Sequence, residues 1–201
     1  MNRKDFIQKL GFFTKENSNG VFIKKYDNYQ IEIDFENKKF DFGSKIKFES
    51  MTTQNFSQEE NWVVLECLDR LLKKGYKSED IVLEKIYPTG HGTSGRLDIL
   101  VKKDGKAFLM IECKTWGKEF EKELNNLNKK GGQLFTYFQQ DTSADFLMLY
   151  TSRLNNNKIE YKNEIVKIED HYRDAGNVED FYNRWNKLLN QNGIFDNWVM
   201  P

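Results

Sequence analysis

The chain has 201 residues, enough for one sizeable domain or a domain with an appendage. Its 31 basic and 31 acidic side chains balance, so no overall positive field favours nucleic acid, and 14% aromatic residues argue against disorder. No run approaches the roughly 20 apolar residues of a membrane helix, and Cys67 and Cys113 lie in apolar runs, as buried free thiols do. These features predict a soluble cytoplasmic protein without a membrane partner.

The first half of the chain predicts a helix, a small sheet and a second helix. Residues 3–10 read as a short helix, and residues 20–43 alternate apolar and polar side chains as a β meander does. Residues 44–56 read as a polar connector. The clearest helix follows Ser57, which is placed to cap it in a capping box with Glu60.

Strands dominate the middle of the chain. They are predicted over residues 80–87, 96–102 and 106–114. Pro88 should end the first of them and open a flexible, glycine-rich loop. The other two are joined at Asp104-Gly105, which is a strong signal for a β-hairpin.

The remaining elements complete an α/β pattern. A helix is predicted over residues 119–140, weakened at Gly131-Gly132, and is followed by a buried strand over 144–152, a hairpin over 155–169 and a terminal helix over 177–193. This order predicts an α/β sandwich with a central mixed sheet flanked by helices.

We expect three parts along the chain. They are a β-rich N-terminal extension over residues 1–50, a core over 51–170, and a C-terminal helix over 171–201 that links to further domains.

Three charges stand out in the hairpin. Asp98 lies inside its first strand, and Glu112 and Lys114 end the second strand on one face. Because the turn is at 104–105, Asp98 should lie roughly opposite position 111 or 112, which brings two carboxylates together. Such carboxylates repel each other, and a divalent cation such as Mg²⁺ relieves the repulsion. A nearby lysine can then act as a point charge on a phosphate or a water molecule.

A structural interpretation of these charges stays open. Glu112 and Lys114 could be solvated residues at a strand end, and Asp98 could pair with Arg96 or cap a turn. Against it, Glu112 follows the apolar run "AFLMI", Asp98 is flanked by apolar residues, and a glycine-rich loop enters its strand.

The pattern of Asp98 followed by Glu112-Cys113-Lys114 resembles the core of the PD-(D/E)XK nucleases, although Leu97 stands where the family name has proline. This resemblance implies a restriction-endonuclease-like core. It also implies that Asp98, Glu112 and the Cys113 carbonyl bind Mg²⁺, for which Mn²⁺ can substitute. Lys114 would orient or help to deprotonate the attacking water and stabilise charge on the phosphorane.

Two further features resemble one subgroup, the N-terminal nuclease domain of type I restriction-enzyme R subunits and related restriction–modification proteins. That subgroup carries Gln-x-x-x-Tyr on the next helix, which Gln133 and Tyr137 match. It also has an acidic residue early in the preceding helix, for which Glu60 is the best match and Glu59 and Glu66 are rivals. The resemblance spans about residues 57–155.

The subgroup implies roles for these residues too. Glu60 would lie behind the metal ligands or bind a second metal through water. Gln133 and Tyr137 would contact the DNA backbone or position Lys114.

The expected function is therefore Mg²⁺-dependent endonuclease activity on double-stranded DNA within a restriction–modification system. Its partners would be downstream translocase, methyltransferase or specificity domains or subunits. Three alternatives remain: a repair nuclease or junction resolvase of the same fold, a catalytically inactive DNA-binding module, and an interaction domain with structural charges.

Overall fold

A computed structural model describes residues 2–27, 29–90, 93–173 and 191–192 of the chain. The helices are α1 (Arg3–Leu10), α2 (Glu60–Lys73), α3 (Lys118–Lys130), α4 (Gly132–Gln140) and α5 (Asp170–Arg173). The strands are β1 (Phe13–Thr14), β2 (Val21–Tyr26), β3 (Tyr29–Asp34), β4 (Lys39–Asp41), β5 (Lys47–Phe48), β6 (Ile81–Gly90), β7 (Thr93–Lys103), β8 (Lys106–Cys113), β9 (Phe146–Asn155), β10 (Lys158–Lys167) and β11 (Gln191–Asn192). Among these helices, none is long and apolar enough to cross a bilayer.

The N-terminal part forms an antiparallel sheet in the order β1-β2-β3-β4. Its apolar side chains alternate as the sequence predicted, with Ile31 and Ile33 fully buried on one face of β3. The meander is therefore confirmed, and the short β1 strand is added at its edge.

The larger sheet is mixed and has the order β11-β10-β9-β8-β7-β6-β5. The β8–β9 and β5–β6 pairs are parallel, and the other pairs are antiparallel. Strand β9 lies inside this sheet and is buried through most of its length, as its continuous apolar run predicted. The predicted α/β fold with a central mixed sheet flanked by helices is confirmed.

Two apolar cores pack against the larger sheet. The α2 core joins one sheet face to α2, α1 and the N-terminal sheet, and it includes Leu65, Phe6 and Ile31. The α3–α4 core covers the other face with Phe120 and Phe138. Because α2 lies between two sheets, it is buried almost all round rather than along one stripe.

Two predictions about residues 44–60 are wrong. The expected connector contains β5 and a 3₁₀ turn at Thr52–Gln54. The capping box is absent, because α2 begins at Glu60 and the Ser57 N–H donates to the Asn55 side chain. Glu60 turns toward Lys114 instead, with 3.6 Å between Oε2 and Nζ.

Two further boundaries differ from prediction. Pro88 does not end its strand. Strand β5 pairs only with Val82 and Leu83, so the side of β6 that faces β5 has no partner strand at Pro88. A proline there loses no hydrogen bond of the sheet, although it has no N–H. The helix predicted over 119–140 is broken in two at Gly131, whose φ of +72° ends α3. The predicted terminal helix falls almost entirely outside the described residues.

Candidate functional site

The hairpin of β7 and β8 brings the predicted charges together. Its two-residue turn has positive φ at both Asp104 and Gly105, as a type I′ turn requires. The ladder pairs Ile99 with Ile111, and one further step places Asp98 opposite Glu112. The prediction of position 111 or 112 is therefore met, and a one-residue register shift between Val101 and Lys102 selects Glu112 rather than Ile111.

Asp98 lies where β7 separates from β8, since the pair of Ile99 and Ile111 is the one farthest from the turn in their ladder. Its Oδ2 accepts a 2.7 Å hydrogen bond from the backbone N–H of Cys113. The alternative pairing with Arg96 is not observed among the described contacts, because the Arg96 guanidinium donates to the Ser50 and Thr52 hydroxyls. Burial, and then the negative charge of Glu60, raise the pKa of Asp98 from 3.8 to about 7.

Glu112 is the most deeply buried carboxylate of the site, with 2% of its surface exposed. Its Oε1 accepts a 2.5 Å hydrogen bond from Lys114 Nζ. Its Oε2 is buried and has no hydrogen-bond partner among the described residues. Burial, together with the charge of Asp98, raises the pKa of Glu112 well above its usual value. An orphaned buried carboxylate oxygen is costly unless something binds it.

Lys114 lies between two carboxylates, with its Nζ bonded to Glu112 and 3.6 Å from Glu60 Oε2. Burial alone would lower the pKa of its ammonium group, but the neighbouring carboxylates outweigh burial and raise that pKa. Glu60 itself is partly buried, and this burial raises the pKa of its carboxyl group despite the nearby lysine. The predicted Glu60 is therefore part of the cluster.

Cys113 contributes its backbone rather than its thiol. Cys67 and Cys113 are both buried and free, as predicted. Burial, and then the adjacent Cys67 thiol, raise the pKa of Cys113, which disfavours a thiolate. Because the N–H and C=O of one strand residue point to the same neighbouring strand, the Cys113 carbonyl lies on the side of Asp98.

Gln133 and Tyr137 occupy different environments on α4. Tyr137 is 2% exposed and stacks on Tyr87, and its hydroxyl donates a 2.9 Å bond to the Arg96 carbonyl. Gln133 is exposed and lies 3.5 Å from that hydroxyl. Tyr137 therefore supports β7 two residues before Asp98, and Gln133 is the member of the pair that can reach a ligand.

Trp116 and Glu84 lie next to this cluster of charged residues, Trp116 along the chain and Glu84 in the neighbouring strand. Trp116 follows the cluster along the chain, and its ring packs 4.2 Å from Arg153 Cζ and 4.8 Å from Lys162 Nζ. Glu84, which the sequence analysis did not single out, is a buried carboxylate in β6 opposite Asp98. The signal for it was present, since a glutamate within the apolar run "IVLEKI" is as unusual as Asp98.

The donor set fits one hard divalent cation. Two carboxylates and a carbonyl oxygen lie at one point of the sheet, and Mg²⁺ typically takes one or two carboxylates and fills its other positions with water or phosphate. The described residues contain no group of three or more His, Cys, Asp and Glu side chains placed to hold a metal, so an all-protein cage is not present there. The orphaned Glu112 Oε2 is the atom that such a cation would satisfy.

No protein-family model matches this chain, and no curated protein matches it.

Proposed function

We propose that this chain is a Mg²⁺-dependent endonuclease domain that hydrolyses phosphodiester bonds of double-stranded DNA. The observation that carries the proposal is the buried Glu112 Oε2, which has no partner among the described residues although Asp98 and Lys114 are adjacent. If the charges were only structural, this buried oxygen would destabilise the fold, because no hydrogen bond compensates the loss of its hydration.

Asp98, Glu112 and the Cys113 carbonyl are the groups that would hold Mg²⁺, and Mn²⁺ is expected to substitute because it accepts the same oxygen ligands. When bound, the cation supplies a water of lowered pKa and neutralises charge on the phosphate. It would also offset the charge of Asp98, which after burial is the main cause of the raised pKa of Glu112.

Lys114 supports phosphate chemistry in a specific way. Its raised pKa keeps a proton on Nζ, so this ammonium group donates to a phosphate oxygen or orients the attacking water. In the reaction, the water oxygen bonds to phosphorus while the bond from phosphorus to one bridging sugar oxygen breaks. The water loses one proton and the departing oxygen gains one, so the two product ends are a phosphate and a hydroxyl.

The assignment to a restriction–modification system is the finer part of the proposal. It is supported by Tyr137, which is bonded to the strand that carries Asp98, and by the exposed Gln133 one turn before it. On this assignment the chain works with translocase, methyltransferase or specificity domains, and Gln133 contacts the DNA backbone.

Plasmid cleavage tests the proposal. Supercoiled plasmid is incubated with the protein in Mg²⁺ or Mn²⁺, beside the Glu112→Gln and Lys114→Met variants. We expect wild-type cleavage that EDTA abolishes, and a loss of at least about 100-fold in both variants.

Asp69→Asn is the matched control, because Asp69 is equally buried and ion-paired but lies nine residues from Glu60, about 13.5 Å along α2. It should cleave as the wild type does. Unchanged cleavage in the Glu112 and Lys114 variants would contradict the site. Preferred cutting of branched DNA would favour a junction resolvase, and DNA binding without cleavage would favour an inactive module.

A further inference from the structure

Glu84 has an unusual backbone conformation for its position. It lies within β6, yet its φ is +53°, in the left-handed region that residues other than glycine rarely adopt. The side chain is only 2% exposed. Such a conformation costs free energy and persists only where the surrounding contacts impose it.

The conformation interrupts the regular sheet at one point. The β6–β7 ladder pairs Leu83 with Ile99 and Lys85 with Leu97, and it skips the intervening Glu84 and Asp98. Leu83 and Ile99 pack in the α2 core, whereas Leu97, two residues from Ile99, packs in the α3–α4 core. In a regular strand, Leu97 and Ile99 would point to the same face of the sheet. They point to opposite faces here, so the alternation of side chains is reversed at the positions of Glu84 and Asp98.

This switch changes what Asp98 can reach. In a regular strand, the side chain of Asp98 would stand perpendicular to the sheet. Here its carboxylate instead accepts the N–H of Cys113 in β8, at 2.7 Å, beyond the last ladder pair of β7 and β8. The break in the β6–β7 ladder thus coincides with the turn of Asp98 toward the position opposite Glu112.

The carboxylate of Glu84 is bound by three donors of the 3₁₀ turn. It accepts the backbone N–H groups of Thr52 at 2.9 Å and of Thr53 at 2.6 Å, and also the Thr52 hydroxyl. The turn is itself held from two sides, since Asn61 donates to the Thr52 carbonyl at 3.0 Å and Arg96 donates to the Thr52 hydroxyl at 2.9 Å. These bonds connect Glu84 to the residue after Glu60 and to the strand that carries Asp98.

We propose that Glu84 is a positioning residue: its left-handed backbone, anchored through its carboxylate to Thr52 and Thr53, turns Asp98 toward the Cys113 N–H. The consequence for metal binding rests on the proposed function. The positioning itself does not, so the two can be tested separately.

The test compares Glu84→Asn with Glu84→Gln, two amides that differ by one methylene. Asparagine tolerates positive φ, so the variant should fold, but its side chain is too short to span the same distance to Thr52 and Thr53. Glutamine keeps the length and the acceptor oxygen for the Thr53 N–H and the Thr52 hydroxyl, but its NH2 group cannot accept the Thr52 N–H. Hydrogen exchange of the Cys113 amide is measured in metal-free protein, with the Leu109 amide of the same strand as the internal reference.

We expect Cys113 exchange to be at least about tenfold faster than wild type in Glu84→Asn and less accelerated in Glu84→Gln, which keeps one of the two acceptor oxygens, with Leu109 unchanged. Unchanged Cys113 exchange in Glu84→Asn would overturn the inference. So would an equal acceleration at Leu109, because Glu84 would then stabilise the sheet in general.

A second experiment measures the affinity of the same variants for Mn²⁺ alone, and it tests the consequence for metal binding. Glu84→Asn should bind Mn²⁺ at least about tenfold more weakly than wild type, Glu84→Gln should bind it more tightly than Glu84→Asn does, and Asp98→Asn marks complete loss. Equal Mn²⁺ binding in Glu84→Asn would overturn the inference. If the wild type binds no Mn²⁺, the proposed function fails, while the Cys113 amide still decides the role of Glu84.

Discussion

The surroundings of Asp98 change the protonation of its side chain. Its pKa is raised from 3.8 to about 7 by burial and then by the charge of Glu60, so the folded protein binds this proton more tightly than the unfolded chain does. Between those two values the folded state carries more protons, and the free energy of unfolding therefore falls as the pH rises. Glu112, whose pKa is also raised, adds to the same trend.

We expect the metal-free Asp98→Asn variant to lose part of this trend, because its amide does not titrate. The measurement is the urea midpoint in EDTA at pH values from about 4 to 7, the interval between the two pKa values. The wild-type midpoint should fall more steeply with pH than that of the variant. Equal slopes in the two proteins would show that Asp98 titrates normally in the fold.

At the scale of the element, the break between α3 and α4 decides where Tyr137 lies. Gly131 ends α3 with a φ of +72°, and a Cβ added there would come 2.3 Å from Phe135 Cβ. Gly105 in the β7–β8 turn has a similar φ of +78° but nothing within 4 Å of an added Cβ. Substitution of Gly105 therefore measures the cost of a left-handed backbone alone, whereas substitution of Gly131 adds the cost of a steric clash.

Gly105→Ala should lower the free energy of unfolding by about 1–2 kcal/mol, the cost of a left-handed residue. Gly131→Ala should cost more, because the Phe135 side chain must also move and it packs in the α3–α4 core. Urea unfolding of both variants measures the difference. Equal costs would mean that Phe135 shifts freely and that the break in the helix tolerates a side chain.

At the scale of the whole molecule, one apolar core joins the two sheets. Trp62 of α2 is 1% exposed, and its ring lies 4.8 Å from Phe40, 4.7 Å from Phe56 and 6.3 Å from Phe6, measured between centroids. Its Nε1 is buried with no hydrogen-bond partner among the described residues, so its contribution there is packing. The N-terminal sheet and the larger sheet are therefore expected to unfold together.

Trp62→Ala should lower the free energy of unfolding by about 3–5 kcal/mol. Hydrogen exchange should then accelerate to the same degree at Ile31 in the N-terminal sheet and at Ile111 in the larger sheet. Trp62→Phe is the control, and it should cost much less because an aromatic ring remains and no hydrogen bond is lost. Faster exchange at Ile31 alone would show that the two sheets unfold separately.

The candidate site could be predicted only in part. The approach of Asp98 to position 111 or 112 follows from Asp104-Gly105, because a two-residue turn sets the register of its strands by local conformation. The one-residue register shift between Val101 and Lys102 then selects Glu112, and the turn does not predict that shift. Glu84 and Thr52 could not be paired in this way, since they are 32 residues apart and meet only when β5 and β6 lie side by side.

The sequence by itself determined the elements whose signals are local. The meander, the β7–β8 hairpin and the buried β9 strand follow from side-chain alternation, from a turn dipeptide and from a continuous apolar run. These signals act over a few residues, so they need no knowledge of the remaining chain.

Only the tertiary structure decided the start of α2 and the left-handed conformation of Glu84. Glu60 does not take its predicted capping role, because α2 begins at Glu60 itself and its carboxylate lies 3.6 Å from Lys114 Nζ. Glu84 takes a conformation that its own residue type disfavours because three donors from a distant turn bind its carboxylate. Both residues have contacts with distant parts of the chain that no local pattern in the sequence predicts.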